Sequence, residues 1–241
     1  ARMSGCPVAK NGETAATSAP LPAAAGTCPY KHDRTQSGNE STKSEMPLNS
    51  ELPPNQKPSP GQTKLLSTHR VKSSIPRGDA KDESDAETWQ YPSQQMFYNA
   101  MKRKGYSPRE EDMDSVVAIH NAVNERTWYE ILKWEKAHCE QCPAPKLLRF
   151  KGRPADLSPK ARFLGMLGYE LPFDRHDWVV DRCGEHVRYV IDYYSGAPDP
   201  DSPKPVAVHI DARPALDSAG AVFDRFKRFV LGTSSTENKA D

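Results

Sequence analysis

The chain has 241 residues, of which 33 are basic and 32 acidic, giving a net charge of +1, and 36% are hydrophobic. Such a balance lacks the broad positive footprint of a nucleic-acid binder. No apolar run approaches the ~20 residues of a membrane-spanning helix, and five cysteines are too few for a disulfide scaffold.

Residues 1–88 hold 10 of the 22 prolines but only one of the 20 aromatics, Tyr30. That segment lacks the apolar surface needed to offset the entropy of ordering a chain. It is predicted to be a disordered arm. Two islands in it resemble each other, Gly5-Cys6-Pro7-Val8 and Thr27-Cys28-Pro29-Tyr30. The stretch Lys64–Arg77 is more apolar and is expected to dock on the domain as an extended strap. A folded domain is predicted over 89–232, with a disordered tail over 233–241.

Within the domain, Ser93 and Gly105 frame a first helix by cap and stop signals. A longer helix is expected from about Asp112 to Glu135. Val116, His120, Val123, Thr127, Ile131 and Trp134 form its stripe, at steps of 4, 3, 4, 4 and 3. Leu147–Phe150 reads as a short strand. Ser158-Pro159 starts a third helix by a cap followed by proline at the first helical position. His186–Tyr194 and Val206–Asp211 alternate and read as an antiparallel pair. A final helix is expected between Pro214 and Gly232. Helices and strands do not interleave as βαβ units, which predicts an α+β fold. We expect a mainly helical domain with a small antiparallel β-sheet, preceded by the disordered arm.

Four groups of residues carry candidate chemistry. A cysteine thiolate followed by proline in an open segment suits a soft or borderline metal such as haem iron. Cys6 and Cys28 are the candidates, although the dipeptide alone is a weak signal. Cys139-Glu140-Gln141-Cys142 has CxxC spacing but no thioredoxin-like context and no second pair for zinc. It is read as two loop cysteines. His120 is either a satisfied core histidine or an axial haem ligand presented from a helix. In the second reading Asn124 orients its ring, and Trp128 and Trp134 wall the pocket. Finally, Asp174-Arg175-His176-Asp177 is a tight polar cluster between Phe173 and Trp178. It is either a salt-bridged network, or a place where Arg175, with Arg182, faces haem propionates. No GxSxG turn accompanies the Asp-His pair, so acyl transfer is set aside.

Taken together, Ser73–Arg77, Trp89–Met101, Ile119–Glu135, Glu170–Trp178, Glu185–Tyr194 and Asp211–Ser218 resemble the mitochondrial holocytochrome c synthase family, also called cytochrome c haem lyases. The nonapeptide Glu170–Trp178 and the segment from Ile119-His120-Asn121 to Leu132-Lys133-Trp134-Glu135 are the most specific. Gly5-Cys6-Pro7-Val8 looks like the arm of fungal members. The resemblance implies a lyase that binds ferrous haem b and apocytochrome c, with cytochrome c1 as a second candidate acceptor. It implies thioether formation between haem vinyl groups and the CxxCH cysteines. It implies a peripheral position on the intermembrane-space side of the mitochondrial inner membrane. The family's iron-ligating histidine falls on His120, its second-signature histidine on His176, and its Cys-Pro haem-regulatory motifs on Cys6-Pro7 and Cys28-Pro29. A haem carrier or sensor without ligation activity is the competing reading.

Overall fold

The structure is a computed structural model and describes residues 55–78, 88–196 and 207–230. Six strands and four α-helices follow in the order β1 (Lys72–Pro76), β2 (Thr88–Gln90), α1 (Gln94–Arg103), α2 (Met113–Glu135), β3 (Lys146–Gly152), α3 (Pro159–Met166), β4 (Asp174–Arg182), β5 (Glu185–Ser195), β6 (Val208–Pro214) and α4 (Ala219–Val230). β1 pairs with β2, and β3-β4-β5-β6 form a second sheet, all antiparallel.

The caps act where the sequence places them. Ser93 accepts a hydrogen bond from the Met96 amide and starts α1. Gly105, at φ 81°, ends it while its amide donates to the Lys102 carbonyl. Ser158 accepts from the Ala161 amide, with Pro159 at the first helical position of α3. The alternating β5 pairs with β6 from Tyr189↔Pro214 to Ser195↔Val208.

Two expectations are corrected. The domain is not mainly helical, for the described residues are about 38% helical and 27% strand. Two strands are unexpected, the short β2 and the nine-residue β4, and β4 is the one that matters for the site. Its run Asp174-Arg175-His176-Asp177 reads as a polar cluster, yet it sits mid-sheet between β3 and β5. Both of its faces are buried, so no hydrophobic alternation betrays it: Arg175, His176, Asp177, Trp178, Val180 and Arg182 are all buried. Nor does a disordered arm run to residue 88. Residues 55–78 pack on the domain, Leu66 and Ile75 are buried, and the expected strap forms β1. Residues 1–54, including Cys6 and Cys28, lie outside the described residues.

Two apolar cores result. The larger joins Ile75, Trp89, Trp128, Ile131 and Leu147 to Trp178, Val180, Tyr189, Ile191 and Tyr193 of the sheet. The smaller gathers Leu66, Phe97, Tyr98, Met101, Met113 and Val117 between the strap, α1 and the first half of α2. The buried face of α2 includes Met113, Val117, Asn124, Thr127, Trp128, Ile131 and Glu135. It is rotated from the expected stripe, leaving Val116, His120, Val123 and Trp134 at its half-buried edge.

Candidate functional site

α2 lies against the four-stranded sheet, nearest to β6, and its side chains reach across to β4 and β5. Near its start His120 is close enough to His176 of β4 to feel its charge, and at its end Glu135 bonds Arg182 of the same strand. All four even-numbered partners on β4 (His176, Trp178, Val180, Arg182) share the face toward α2.

At the first end, His120 is half-buried and its ring meets Phe97 of α1 edge-on, with centroids 5.1 Å apart. Burial, then repulsion from His176, lowers its pKa to about 4. His176 is buried and its pKa is also lowered, mainly by burial; Asp174 and Asp177 push the other way and the Lys104 ammonium adds to the lowering. Both imidazoles are therefore neutral at pH 7, the form that can ligate a metal. His176 Nε2 lies 3.5 Å from Asp174 Oδ2. Its Nδ1 has no hydrogen-bond partner among the described residues, and neither has Asn121 Oδ1, one position after His120. Buried polar atoms without partners are uncommon and mark places where something else binds.

Tyr193 supports this end from β5. Its ring stands edge-on to His176 at 5.4 Å. Thr127 Oγ1 donates to the Val123 carbonyl at 2.8 Å, so the Tyr193 hydroxyl is the donor in its 3.1 Å bond to Thr127. Burial raises the Tyr193 pKa and keeps that proton in place. Glu125 then clamps the strap to α2: it accepts from the Ser74 amide at 3.0 Å, the Ser74 hydroxyl, and the Tyr91 hydroxyl at 2.8 Å.

Other candidates sit elsewhere. Asn124 does not orient the His120 ring; its amide donates to the His120 carbonyl oxygen at 3.0 Å and stiffens that turn of helix. Trp128 is sealed in the larger core. Trp134 donates to the Ala212 carbonyl at 2.8 Å and is covered by Arg228. Arg175 turns to the other face of the sheet, bonding Asp177 at 3.0 and 3.2 Å and the Asp156 carbonyl at 3.1 Å. Arg188 also reaches Asp177, at 2.8 Å. Within that cluster Arg175 and Asp177 are ion-paired, while Asp174 accepts from the Arg175 amide and lies beside His176.

Arg182 spends its fork on Glu135, at 2.7 and 2.9 Å, while Tyr189 donates to the same carboxylate. Here the pair is closed by a disulfide between Cys142, just beyond α2, and Cys183. Cys183 (φ 48°) and Gly184 (φ 99°) form the two-residue turn of the β4–β5 hairpin, both in the left-handed region that such a turn demands. Cys142 and Cys183 are thus structural partners rather than loop thiols.

Pattern reasoning missed Phe97 against His120 and Tyr193 against His176, because each is an ordinary core position that only the packing brings to a histidine.

Comparisons with known proteins place the chain in a family. A family profile described as cytochrome c/c1 heme lyase matches residues 1–229. The chain is 49% identical over 207 residues to the holocytochrome c-type synthase of Gallus gallus, covering 83% of this chain and 71% of that protein. It is 50% identical over 187 residues to the Homo sapiens protein of the same name, covering 75% and 67%. With the holocytochrome-c synthase of Saccharomyces cerevisiae, identity is 40% over 264 aligned positions, covering 98% and 91%. No solved structure matches. The chain belongs to the cytochrome c/c1 haem lyase family.

Proposed function

We propose that the chain joins haem to apocytochrome c, with His120 as the iron ligand, as a holocytochrome c synthase. One observation carries the site assignment. His120 on α2 and His176 on β4 are close enough to interact electrostatically, both are held neutral by burial, and His176 Nδ1 has no hydrogen-bond partner among the described residues.

Haem is the substrate rather than a resident cofactor. Ferrous haem b is the form proposed to bind, with His120 on one axial side. The histidine of the acceptor's CxxCH motif takes the other. Each acceptor thiol then adds across a vinyl C=C, sulfur to one carbon and hydrogen to the other, so no net oxidant or reductant is consumed. Double ligation makes this addition effectively intramolecular, which is the main source of rate. The haem supplies the electronics and the protein supplies orientation.

The chain's residues serve that positioning. Phe97 fixes the plane of the His120 ring, and the Asn124 bond stiffens its backbone. His176, kept neutral by burial, adds a polar contact without adding charge. Cys6 and Cys28 are proposed as haem contacts of the arm. The acceptor is cytochrome c, with cytochrome c1 the second candidate. We place the protein peripherally on the intermembrane-space side of the mitochondrial inner membrane. No described helix is long and apolar enough to cross a membrane.

The test is co-expression with apocytochrome c, scored by pyridine haemochrome spectra. Wild type is expected to yield the thioether-bonded spectrum. Normal yield from His120→Ala would overturn the ligand assignment.

A further inference from the structure

α4 is docked inside out. Its polar side faces the protein. Ala221 is buried, Asp224 accepts from His138 at 2.9 Å and lies 3.9 Å from Arg182, and Arg228 stacks 4.2 Å over Trp134. Its apolar side faces outward: Val222, Phe223, Phe226, Phe229 and Val230 are 49–86% exposed. Their spacing puts all five on one stripe. Single exposed apolar residues are ordinary, but a contiguous stripe of three phenylalanines and two valines is not.

Beside the stripe lies an open cavity of about 420 Å³ lined by Trp134, Lys160, Asp211, Arg213, Arg225, Arg228 and Phe229. Four cations and Asp211 line it, and Arg213 is also held from behind by buried Asp192 at 2.5 Å. Asp211 already serves Lys160 at 2.7 Å and Arg213 at 2.6 Å. Arg225 makes no side-chain hydrogen bond or ion pair among the described residues. Its pKa is lowered by burial and by Arg213, as expected where positive charge is crowded. The cavity is built for an anion, and Phe229 belongs to both the cavity and the stripe.

We infer that α4 docks this protein on an anionic phospholipid surface, its phenylalanine stripe entering the acyl boundary and the Arg225–Arg228 side of the cavity taking lipid phosphate. An apolar helix face bordered by Lys and Arg is the pattern of an interfacial helix. The chain's own remaining segments are poor covers. Residues 231–241 contain one large apolar side chain, Leu231, and residues 1–54 contain one aromatic, Tyr30. A second copy is also a poor fit, because one face of a 12-residue helix, roughly 18 Å long and about 10 Å wide, offers about 200 Å², well short of the ~800 Å² per partner of a stable dimer.

The inference rests on the membrane location proposed above and names the element responsible. The test uses the full chain and co-sedimentation with vesicles of phosphatidylcholine alone or with added phosphatidylglycerol. Wild type is expected to bind the anionic vesicles more tightly, and less so as salt rises. Phe226→Ser with Phe229→Ser should weaken binding to both by about tenfold. Arg225→Gln with Arg228→Gln should remove the preference for anionic vesicles, about tenfold, with little change on phosphatidylcholine. Both pairs should retain the haem absorption band, because none of these residues touches His120. Vesicle binding by the phenylalanine pair equal to wild type overturns the α4 assignment. Failure of wild type to bind any vesicle overturns the membrane location itself. A lipid-free dimer that the phenylalanine pair dissolves would make the stripe a contact between copies. Loss of the haem band in the arginine pair would make the cavity a haem site. Either result overturns the lipid assignment.

Discussion

The two ends of the α2–β4 contact treat buried polar groups in opposite ways. At the Glu135 end every group is satisfied: the carboxylate holds both arms of Arg182 and the Tyr189 hydroxyl, Asp224 adds a second negative charge, and the Cys142–Cys183 disulfide closes the edge. At the His120 end, His176 Nδ1 and Asn121 Oδ1 have no partner among the described residues, and two histidines repel one another's protonation. A saturated network is a structural device; an unsaturated one beside neutral imidazoles is a place for a ligand. The same helix and strand thus supply a saturated polar network at one end and an unsatisfied one at the other.

The sharpest way to break this contrast is to remove one residue from each end. His120→Ala should bring thioether product below detection in the co-expression assay, while denaturant melts show a stability loss of at most about 1 kcal/mol. Glu135→Ala should do the reverse. It strands the buried Arg182 charge, so unfolding free energy should fall by about 3–5 kcal/mol. Haem yield should then drop only in proportion to the folded protein. Equal damage to activity and stability from both substitutions would erase the distinction.

A smaller effect sharpens the closed end. The Cys142–Cys183 bridge spans 41 residues of sequence. Opening it with reductant, or by Cys142→Ser with Cys183→Ser, should cost about 2–4 kcal/mol in denaturant melts. Haem bound at His120 should keep its spectrum under conditions where the fold survives.

pH addresses the open end. Unfolded histidine takes a proton near 6.5, whereas folded His120 resists until about 4. Between those values the unfolded state binds more protons, so this contribution is full above pH 6.5 and is lost as pH falls toward 4. Its size is on the order of 3 kcal/mol at most, and His176 acts in the same direction. Melts of wild type against His120→Gln from pH 7 to pH 4 should show a steeper loss for wild type. Parallel curves would mean that His120 is not held neutral by burial.

Local signals in the chain were enough for much of the frame. Ser93, Gly105 and Ser158-Pro159 set helix ends because capping is a matter of a few adjacent residues. The alternation in β5 and β6 specified strands because one side of each carries the apolar set. His120 was legible as a candidate because a helix projects it near an apolar stripe, and the family resemblance pointed to the same residue. β4 was not legible, since its buried positions hold arginine, histidine and aspartate as well as Trp178 and Val180. Charge is tolerated there because Arg175 and Asp177 pair within the strand and because Glu135 and Arg188 arrive from other elements to meet Arg182 and Asp177.

The sequence by itself determined where the chain can be helix or strand and which side chains have the chemistry to hold haem. Only the tertiary structure decided which of those side chains are spent. Arg175 and Arg182 looked available for propionates and are occupied by Asp177 and Glu135. His120 and His176 are 56 residues apart in sequence, and the packing of α2 on the sheet brings them within electrostatic reach. α4 shows the same division: its periodicity identifies an amphipathic helix, but not which face turns inward. That was settled by Asp224 and Arg228, whose bonds to His138 and Trp134 turn the charged side in and leave the phenylalanines outside.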